Sequence, residues 1–396
     1  MNMLKLALRS LNNRPWNTAL SIIILAFGLA LISVLFNAQG QLEKSFNRNI
    51  EGINMVVGAK GSPLQLILSS VYHLDAPTGN IKLSEFNQLA KNPMVAKAIP
   101  LSLGDNYRGF RIVGTRHSYP EHYNLTLAQG ENFASILEVN IGATVAEETG
   151  LGLGDRFSGN HGLKEEGHQH DQVQYVVKGI YEVSGTALDR LILTPLESVW
   201  KVHDHGNHDE HSHEEDLEIT SGLLQFKSAM ATFRLPRMVN EKTNMQAALP
   251  AIEINRLFTL TENASRFLQA LALLLIILAA LSVFAGLYQN LKDEEPQLAF
   301  LRAIGAPPSA LTGLIISKSI LLCFFAYLLS LLISVLALWL MSYFFHDRFD
   351  FELTALFNNA QQLLILGGTL LLGLLSSLLP AWQAFRLNIS KTLRNG

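Results

Sequence analysis

The chain has 396 residues, of which 16% are Asp, Glu, Lys or Arg, against about a quarter in soluble proteins; with a slightly positive mean hydropathy, this argues against a simple soluble globule. A formal net charge of -3 excludes a chain built to neutralise a nucleic-acid backbone, which needs a clustered basic excess. The single cysteine, Cys323, excludes an intrachain disulfide and any cysteine-built metal site, so a metal would have to be held by His, Asp or Glu.

In chain order, residues 1–14 place Leu4, Leu8 and Leu11 opposite Lys5 and Arg9, the pattern of a helix lying on the inner leaflet. Four apolar runs follow, each about long enough to cross a hydrocarbon core of about 30 Å as a helix. They are Ala19–Phe36, Phe267–Tyr288, a run within Ala310–Phe345, and Leu363–Leu379. Lys5, Arg9 and Arg14 precede the first, Lys292 and Arg302 lie between the second and third, and Arg386, Lys391 and Arg394 follow the fourth. The positive-inside rule therefore puts both termini in the cytoplasm and the long segment between the first two spans outside. A cleaved signal peptide is the alternative for the first run; its long polar lead and missing A-x-A site argue against it. The apolar pattern also continues beyond the membrane. Leu42, Phe46, Ile50 and Ile53 extend the first span as a stalk (15–54), and Ile254, Leu257, Phe258 and Thr261, behind Pro250, form one face of a second stalk entering the second span (248–289).

The fold class expected is thus an α-helical membrane protein with four transmembrane helices and a large α+β periplasmic domain (55–247) inserted between the first and second. Within that domain, Phe110–Val113 and Val173–Ile180 read as strands, Leu83–Leu89 and Ala143–Thr149 as helices, the latter stopped by Gly150. Two lobes are one way to arrange them. Gly150, Gly152 and Gly154 close a helix rather than open one, so they do not make a dinucleotide fingerprint. The motifs G-x-x-x-x-G-K-[ST], G-x-S-x-G and H-E-x-x-H do not occur. ATP binding through a P-loop of this chain is therefore excluded, and catalysis has no recognisable nucleophile, base or catalytic metal site.

Eight of the twelve histidines fall in two polar stretches. His161, His168 and His170 lie in 161–171. His203, His205, His208, His211 and His213 lie in 203–218, a stretch of sixteen residues with five His, seven acids and no Lys or Arg. Imidazoles beside carboxylates suit Zn²⁺, and also Cu²⁺, Ni²⁺ or Co²⁺. Overlapping His sets fit weak, exchanging capture better than one fixed tetrahedral site; the bland alternative is a solvated low-complexity loop. His73, His117, His122 and His346 read as surface or packing residues.

Between the second and third spans, residues 290–309 place Asp293 and Glu294 ahead of Pro296 and an apolar face of Leu298, Ala299 and Leu301, which predicts a short amphipathic helix stopped by Gly-Ala-Pro-Pro. The third span (310–345), a short outer loop (346–362) and the last span with its tail (363–396) complete the chain. LALRSLNNRPWNTALSIIILAFGLALI at the start, LRAIGAPPSAL after the second span and LLPAWQAFRLNISKTLRNG at the end, with one span, a large outer domain and three spans, resemble the FtsX-type ABC permeases, which include the permease half of MacB and the LolC and LolE subunits. NYRGFRIVGT, IGATVAEETGLGLGDRF and Tyr175–Arg190 are similar to the MacB-like periplasmic core.

The resemblance implies a permease subunit of the inner membrane, without catalysis of its own and requiring no cofactor, standing as a homodimer or pseudo-dimer on a cytoplasmic ABC ATPase that binds the ATP. It implies mechanotransmission: ATP-driven closure inside moves the stalks and outer domain with no substrate channel through the membrane. The inner loop would then contact the ATPase through Glu294, Glu295, Gln297, Leu298 and Arg302; a merely structural loop is the alternative. Lys318 departs from the family, many members of which carry a carboxylate nearby, and is expected to reach the inner surface. Met55–Ile81 and the His-rich loop look like a subgroup found in zinc-responsive operons, which implies Zn²⁺ at the loop and a periplasmic metal-binding or substrate protein as a further partner. Lipoprotein release, efflux through an outer partner or activation of a cell-wall hydrolase, with the His-rich loop incidental, is the rival; a membrane-anchored metallohydrolase is a more distant one.

Overall fold

Thirty-six residues with no proline after the first, Pro15–Ile50, form one helix, α1, and the elements that follow it alternate between short strands and short helices up to residue 248. The structure, a computed structural model, describes residues 6–9, 15–160, 173–203, 217–349 and 359–386. It divides into a helical unit, Met1–Glu43 with Thr261–Gly396, and an α/β unit, Lys44–Leu260.

In the α/β unit the chain order is β1 (Met55–Ala59), α2 (Pro63–Ser70), β2 (Ile81–Lys82), α3 (Leu83–Ala90), β3 (Val95–Tyr107), β4 (Phe110–Thr115), α4 (Ser118–His122), β5 (Leu127–Gly130), β6 (Glu138–Ile141), α5 (Ala143–Thr149), β7 (Arg156–Phe157), β8 (Tyr175–Tyr181), a 3₁₀ turn (Ala187–Arg190), β9 (Leu191–Pro195), α6 (Leu196–His203), β10 (Glu218–Ile219), β11 (Ser221–Phe226), α7 (Ala231–Lys242) and β12 (Met245–Ala248). Among the described residues the main sheet runs β12-β1-β11-β3-β4-β9-β6-β8-β5, with β7 on β8. It is mixed: β4–β9 and β6–β8 are parallel and the other pairs antiparallel. The thirteen-residue β3 pairs with β11 through Val95–Leu101 and with β4 through Ser102–Tyr107, so this one strand joins the two halves of the sheet.

Strand alternation decides which core each side chain joins. On β1, Val56 enters one cluster with Leu66, Ile67 and Tyr119, while Met55 and Val57 enter another with Phe86, Leu235 and Val239. A third cluster, around Ile112, Ile141, Phe157, Tyr175 and Val177, fills the β6–β8–β9 side. Gly150 ends α5 in the left-handed conformation (φ 74°), the stop that its position predicts.

The helical unit holds most of α1, together with α8 (Pro250–Ala303), whose first residues belong to the α/β unit, α9 (Pro308–Phe349) and α10 (Asn359–Phe385). Among the described residues four helices are long and apolar enough to cross a membrane, over Thr18–Ile50, Pro250–Asp293, Pro308–Tyr343 and Ala360–Phe385. The expected architecture of four apolar helices with an α/β domain after the first therefore holds. Small and polar residues bind the helices together, as expected where no water drives association. Ser21 Oγ and Ser282 Oγ lie 2.9 Å apart, Gln362 Nε2 donates to Ser33 Oγ at 3.0 Å, and Ser319 Oγ donates to the Gly373 carbonyl at 2.6 Å.

Two expectations change. The inner helix is not a separate element: α8 runs unbroken through Pro296 for 54 residues, about 80 Å at 1.5 Å per residue. The Gly305 turn (φ 102°) and Pro308 bound its end as predicted. Lys318 does not reach the surface of the unit; it is 3% exposed. Of residues 1–14 only 6–9 are described: Ala7 is buried against Leu291, Leu298, Ala381 and Ala384, while Leu8 is 41% exposed.

Candidate functional site: the joint between helix α1 and the outer domain

A helix leaves its last four carbonyls without intrahelical partners, and a buried end must find donors elsewhere. Helix α1 ends inside the α/β unit, and side chains from two separate segments, the stretch after α2 and the end of α4, meet its last turn and the residue that follows it. Tyr72 Oη donates to the Phe46 carbonyl at 3.0 Å, Tyr123 Oη to the Asn49 carbonyl at 2.7 Å, and His122 Nε2 to the Glu51 carbonyl at 2.9 Å. Burial raises the pKa of both phenols far above the ordinary range, so they stay neutral O–H donors. Burial lowers that of His122, opposed by its bond to Glu51; because its partner is a carbonyl, the neutral ring must carry its hydrogen on Nε2.

The helix side chains are held as well. Asn49 is 6% exposed; its Oδ1 accepts from the Ala187 amide at 2.7 Å and its Nδ2 donates to the Ser45 carbonyl at 3.0 Å. The Ala187 amide is aimed by Asp189, whose carboxylate accepts from the Ser184 amide (2.9 Å), the Ser184 hydroxyl (2.7 Å) and the Gly185 amide (2.7 Å). Arg48 Nη1 reaches the Gly185 carbonyl at 3.4 Å. Phe46 packs between Tyr72 (ring centroids 4.8 Å) and Phe258 of α8 (5.6 Å, edge-on), so both helices that leave the domain are seated at one place.

Gly52 makes the exit possible. Its φ is 75°, and a Cβ there would meet His122 Cε1 at 2.7 Å, so both the conformation and the close approach require glycine. One step further, Asn54 Oδ1 accepts from the Phe226 amide at 2.7 Å, fixing the start of β1 against β11. Tyr123 also stands edge-on to Tyr119 (5.7 Å), which is fully buried and lies 3.0 Å from His73 Nε2. His73 has a left-handed backbone (φ 55°), and its pKa is pushed down to about 3, by burial first and then by Arg111. This set of donors ties the end of α1 to α4, the 184–189 turn and the segment after α2.

The residues expected to carry function lie elsewhere. His203 is the last residue of α6, and His161, His168, His170, His205, His208, His211 and His213 lie outside the described residues. The segments' anchor points are described: Val202 and Val173 belong to the same cluster around Phe157 and Tyr175, and Trp200 Nε1 donates to the Glu218 carbonyl at 2.7 Å. Both histidine segments therefore leave the lobe from one apolar cluster. Among the described residues no group of three His, Cys, Asp or Glu is placed to hold a metal ion. Glu294, Glu295, Gln297, Leu298 and Arg302 all lie on the last turns of α8; Leu298 is 3% exposed and packs against Leu291, Leu311 and Leu314, while Glu295 and Arg302 are half-buried. Leu298 thus holds the helix in place rather than facing outward. His117 stacks on Phe133 (4.6 Å) and His122 caps α1.

Two family models match the chain. The MacB-like periplasmic core domain covers residues 18–235, and the FtsX-like permease C-terminal model covers residues 270–389. Solved structures similar to part of it include the periplasmic region of MacB from Actinobacillus actinomycetemcomitans, with 13% identity over 53% of this chain and 95% of that chain and a TM-score of 0.35. Another is the extracellular domain of the noncanonic ABC-type transporter YknZ from Gram-positive bacteria, with 14% identity, 49% and 99% coverage and a TM-score of 0.32. No curated protein matches the chain.

Proposed function

Since the chain belongs to the family with a MacB-like periplasmic core domain and carries an FtsX-like permease C-terminal region, and is thus an ABC-transporter permease of the FtsX/MacB type that works with a cytoplasmic ABC ATPase, we propose that it is a mechanical transmitter of the inner membrane. ATP hydrolysis by that separate ATPase moves α1 and α8, and the outer domain follows. The observation that carries this reading is the joint: the Phe46 and Asn49 carbonyls in the last turn of α1 and the Glu51 carbonyl just after it are each bound by a side chain from the domain. A helix so tied cannot turn without taking those segments with it. The last turns of α8, with Glu294, Glu295, Gln297 and Arg302, meet the ATPase. The working unit is a homodimer.

The cargo we propose is zinc or another divalent metal, or a periplasmic protein that carries it. This rests on the composition of 161–171 and 203–218, whose imidazoles and carboxylates suit borderline cations, and on the shared anchorage of both segments through Val173 and Val202. Zn²⁺ is here cargo, and no cofactor is required. The rival is transmission toward lipoprotein release, efflux or a cell-wall hydrolase, with the His-rich loop incidental. Growth under a zinc chelator separates the two. A strain lacking the gene should be sensitised, and the full chain should rescue it while one lacking Asp204–Asp216 should not; the deletion must spare Val202, which is 4% exposed in the core. Equal rescue by both would leave the loop without a part in zinc handling, and no sensitivity at all would favour the rival.

A further inference from the structure

The four long helices are joined in two ways. Within two pairs the backbones themselves come together. On α1 a Cβ at Gly28 would stand 3.1 Å from Ile276 Cγ1 of α8 and 3.4 Å from the Ile276 nitrogen, and Ser21 Oγ lies 2.9 Å from Ser282 Oγ. On α10 a Cβ at Gly373 would stand 2.7 Å from Cys323 Sγ of α9, and Ser319 Oγ donates to the Gly373 carbonyl at 2.6 Å. A glycine at so close an approach seats one helix in the surface of the other, so neither pair can slide internally without collision.

Between the pairs the ties differ in kind. Ser334 Oγ of α9 reaches the Ala30 carbonyl of α1 at 3.4 Å, and Ser376 Oγ of α10 reaches the Ala280 carbonyl of α8 at 3.5 Å; both are longer than an ordinary O–H···O bond. A shorter one, Gln362 Nε2 to Ser33 Oγ at 3.0 Å, joins the first turn of α10 to α1. A hydrogen bond in hydrocarbon is costly to break when a group is left unpaired, and here each group has another place to bond. Ser334 Oγ already donates to the Ser330 carbonyl of its own helix at 2.7 Å. The carbonyl four residues back offers the same exit to Ser33 and Ser376. Gln362 stands just ahead of the apolar run Leu363–Leu379, where water can take over its amide. Apolar contacts across the pairs, such as Val283 and Leu287 of α8 with Leu322 of α9, have no direction to lose.

Resting on the mechanical reading proposed above, we infer that the helical unit works as two rigid pairs, α1–α8 and α9–α10, and that nucleotide drives a slide of one pair on the other along the Ser33–Gln362 and Ala30–Ser334 contacts. Shear of packed helices moves them by about 1–2 Å, or by about 5.4 Å where a whole turn is passed. The pairs converge where Leu298 of α8 shares a core with Leu311 of α9 and Ala381 of α10, so displacement grows toward Ser33 and Gln362. Both helices that leave the outer domain belong to one pair, so its two connections move together.

The test uses spin labels on four exposed residues, Phe36 of α1, Leu273 of α8, Leu336 of α9 and Leu364 of α10, each replaced by Cys two at a time in a Cys323→Ser chain. The labelled chain is diluted with unlabelled chain and reconstituted with its ATPase, so that distances within one copy are read with and without trapped nucleotide. The 36–364 and 273–336 distances should change by at least about 2 Å, and the 36–273 and 336–364 distances by less than about 1 Å. A disulfide between Ser21→Cys and Ser282→Cys, which fixes α1 to α8, should leave the 36–364 and 273–336 changes intact. Equal changes within and between pairs, or loss of the change on forming that disulfide, would overturn the two-pair division. If all four distances stay constant while labels at Glu147→Cys in the outer domain respond to nucleotide, the slide is refuted and the transmitter reading stands. If the labels at 147 are silent too, both fall.

Discussion

Replacing Tyr72 and Tyr123 together by Phe removes two hydroxyls and no packing volume, so it isolates what the joint's hydrogen bonds contribute. Each phenol is the donor that meets a carbonyl at the end of α1, at 3.0 and 2.7 Å. A net contribution of about 0.5–1.5 kcal/mol per bond makes the pair worth roughly 1–3 kcal/mol, and the two bonds sit on one helix turn, so they add only approximately. At about 1.4 kcal/mol per factor of ten, local opening of that turn should become roughly 5- to 140-fold more frequent. Hydrogen exchange of the amides of Asn49–Ile53 in the full chain reads this directly, because the Glu51 and Ile53 amides are bonded to the carbonyls of Arg48 and Ile50. Exchange in β6, β8 and β9 should be unchanged. Equal exchange of Asn49–Ile53 in the variant and the parent chain would refute the reasoning, since the carbonyls would then have found water at no cost and the joint would hold α1 by packing alone.

Further expectations follow from neighbouring features. His73 is neutral in the folded state down to about pH 3 and takes up a proton near pH 6.5 when unfolded, so the unfolded state binds more protons in that window. Stability should fall as pH drops from about 6.5 toward 3, by up to about 1.4 kcal/mol per unit from this group; His73→Asn, which tolerates the left-handed backbone, should flatten the slope by about one proton in denaturant titrations at pH 7 and pH 5, and an unchanged slope would contradict the assignment. Glu294→Lys with Glu295→Lys should reduce co-purification with the ATPase and its coupled turnover, and retention of both would remove these residues from the contact. Gly142→Ala should destabilise the outer domain by about 1–3 kcal/mol, because a Cβ there would collide with the Asp189 carbonyl oxygen and push the turn that presents the Ala187 amide to Asn49; an unchanged unfolding midpoint would show that the turn yields freely.

The four long helices were legible because length and apolarity alone decide them, and Gly150, Gly305 and Pro250 mark ends by local chemistry that needs no tertiary context. The continuity of α8 was not: Pro296 and the acids before it carry the signature of a helix start, and a helix already propagating from Pro250 overrode it. Lys318 misled for the opposite reason, since its chain is long enough to reach the surface and only the packing of neighbouring helices encloses it. The joint left almost no trace in the sequence. Its donors, Tyr72, His122 and Tyr123, come from α2's exit and from α4, and nothing in their spacing relates them to Phe46, Asn49 or Glu51 until the chain folds. The one local hint was Gly52, directly after the apolar helix, with Asn49 and Asn54 on either side. The histidine segments show the reverse, a conspicuous composition whose chemistry is fixed by residue type while only its anchors, Val173, Val202 and Trp200, are placed by the fold.

The central claim is that ATP turnover inside moves the outer domain through the end of α1. The most direct test labels Glu147, an exposed residue of α5, with a spin label through Glu147→Cys in a Cys323→Ser chain, and measures the distance between the two copies in the reconstituted complex with its ATPase, with and without trapped nucleotide. A nucleotide-dependent change that the Tyr72→Phe, Tyr123→Phe chain reduces while ATP turnover persists is the predicted result. A distance that ignores nucleotide in the parent complex, or a change that survives intact in the double variant, would contradict it.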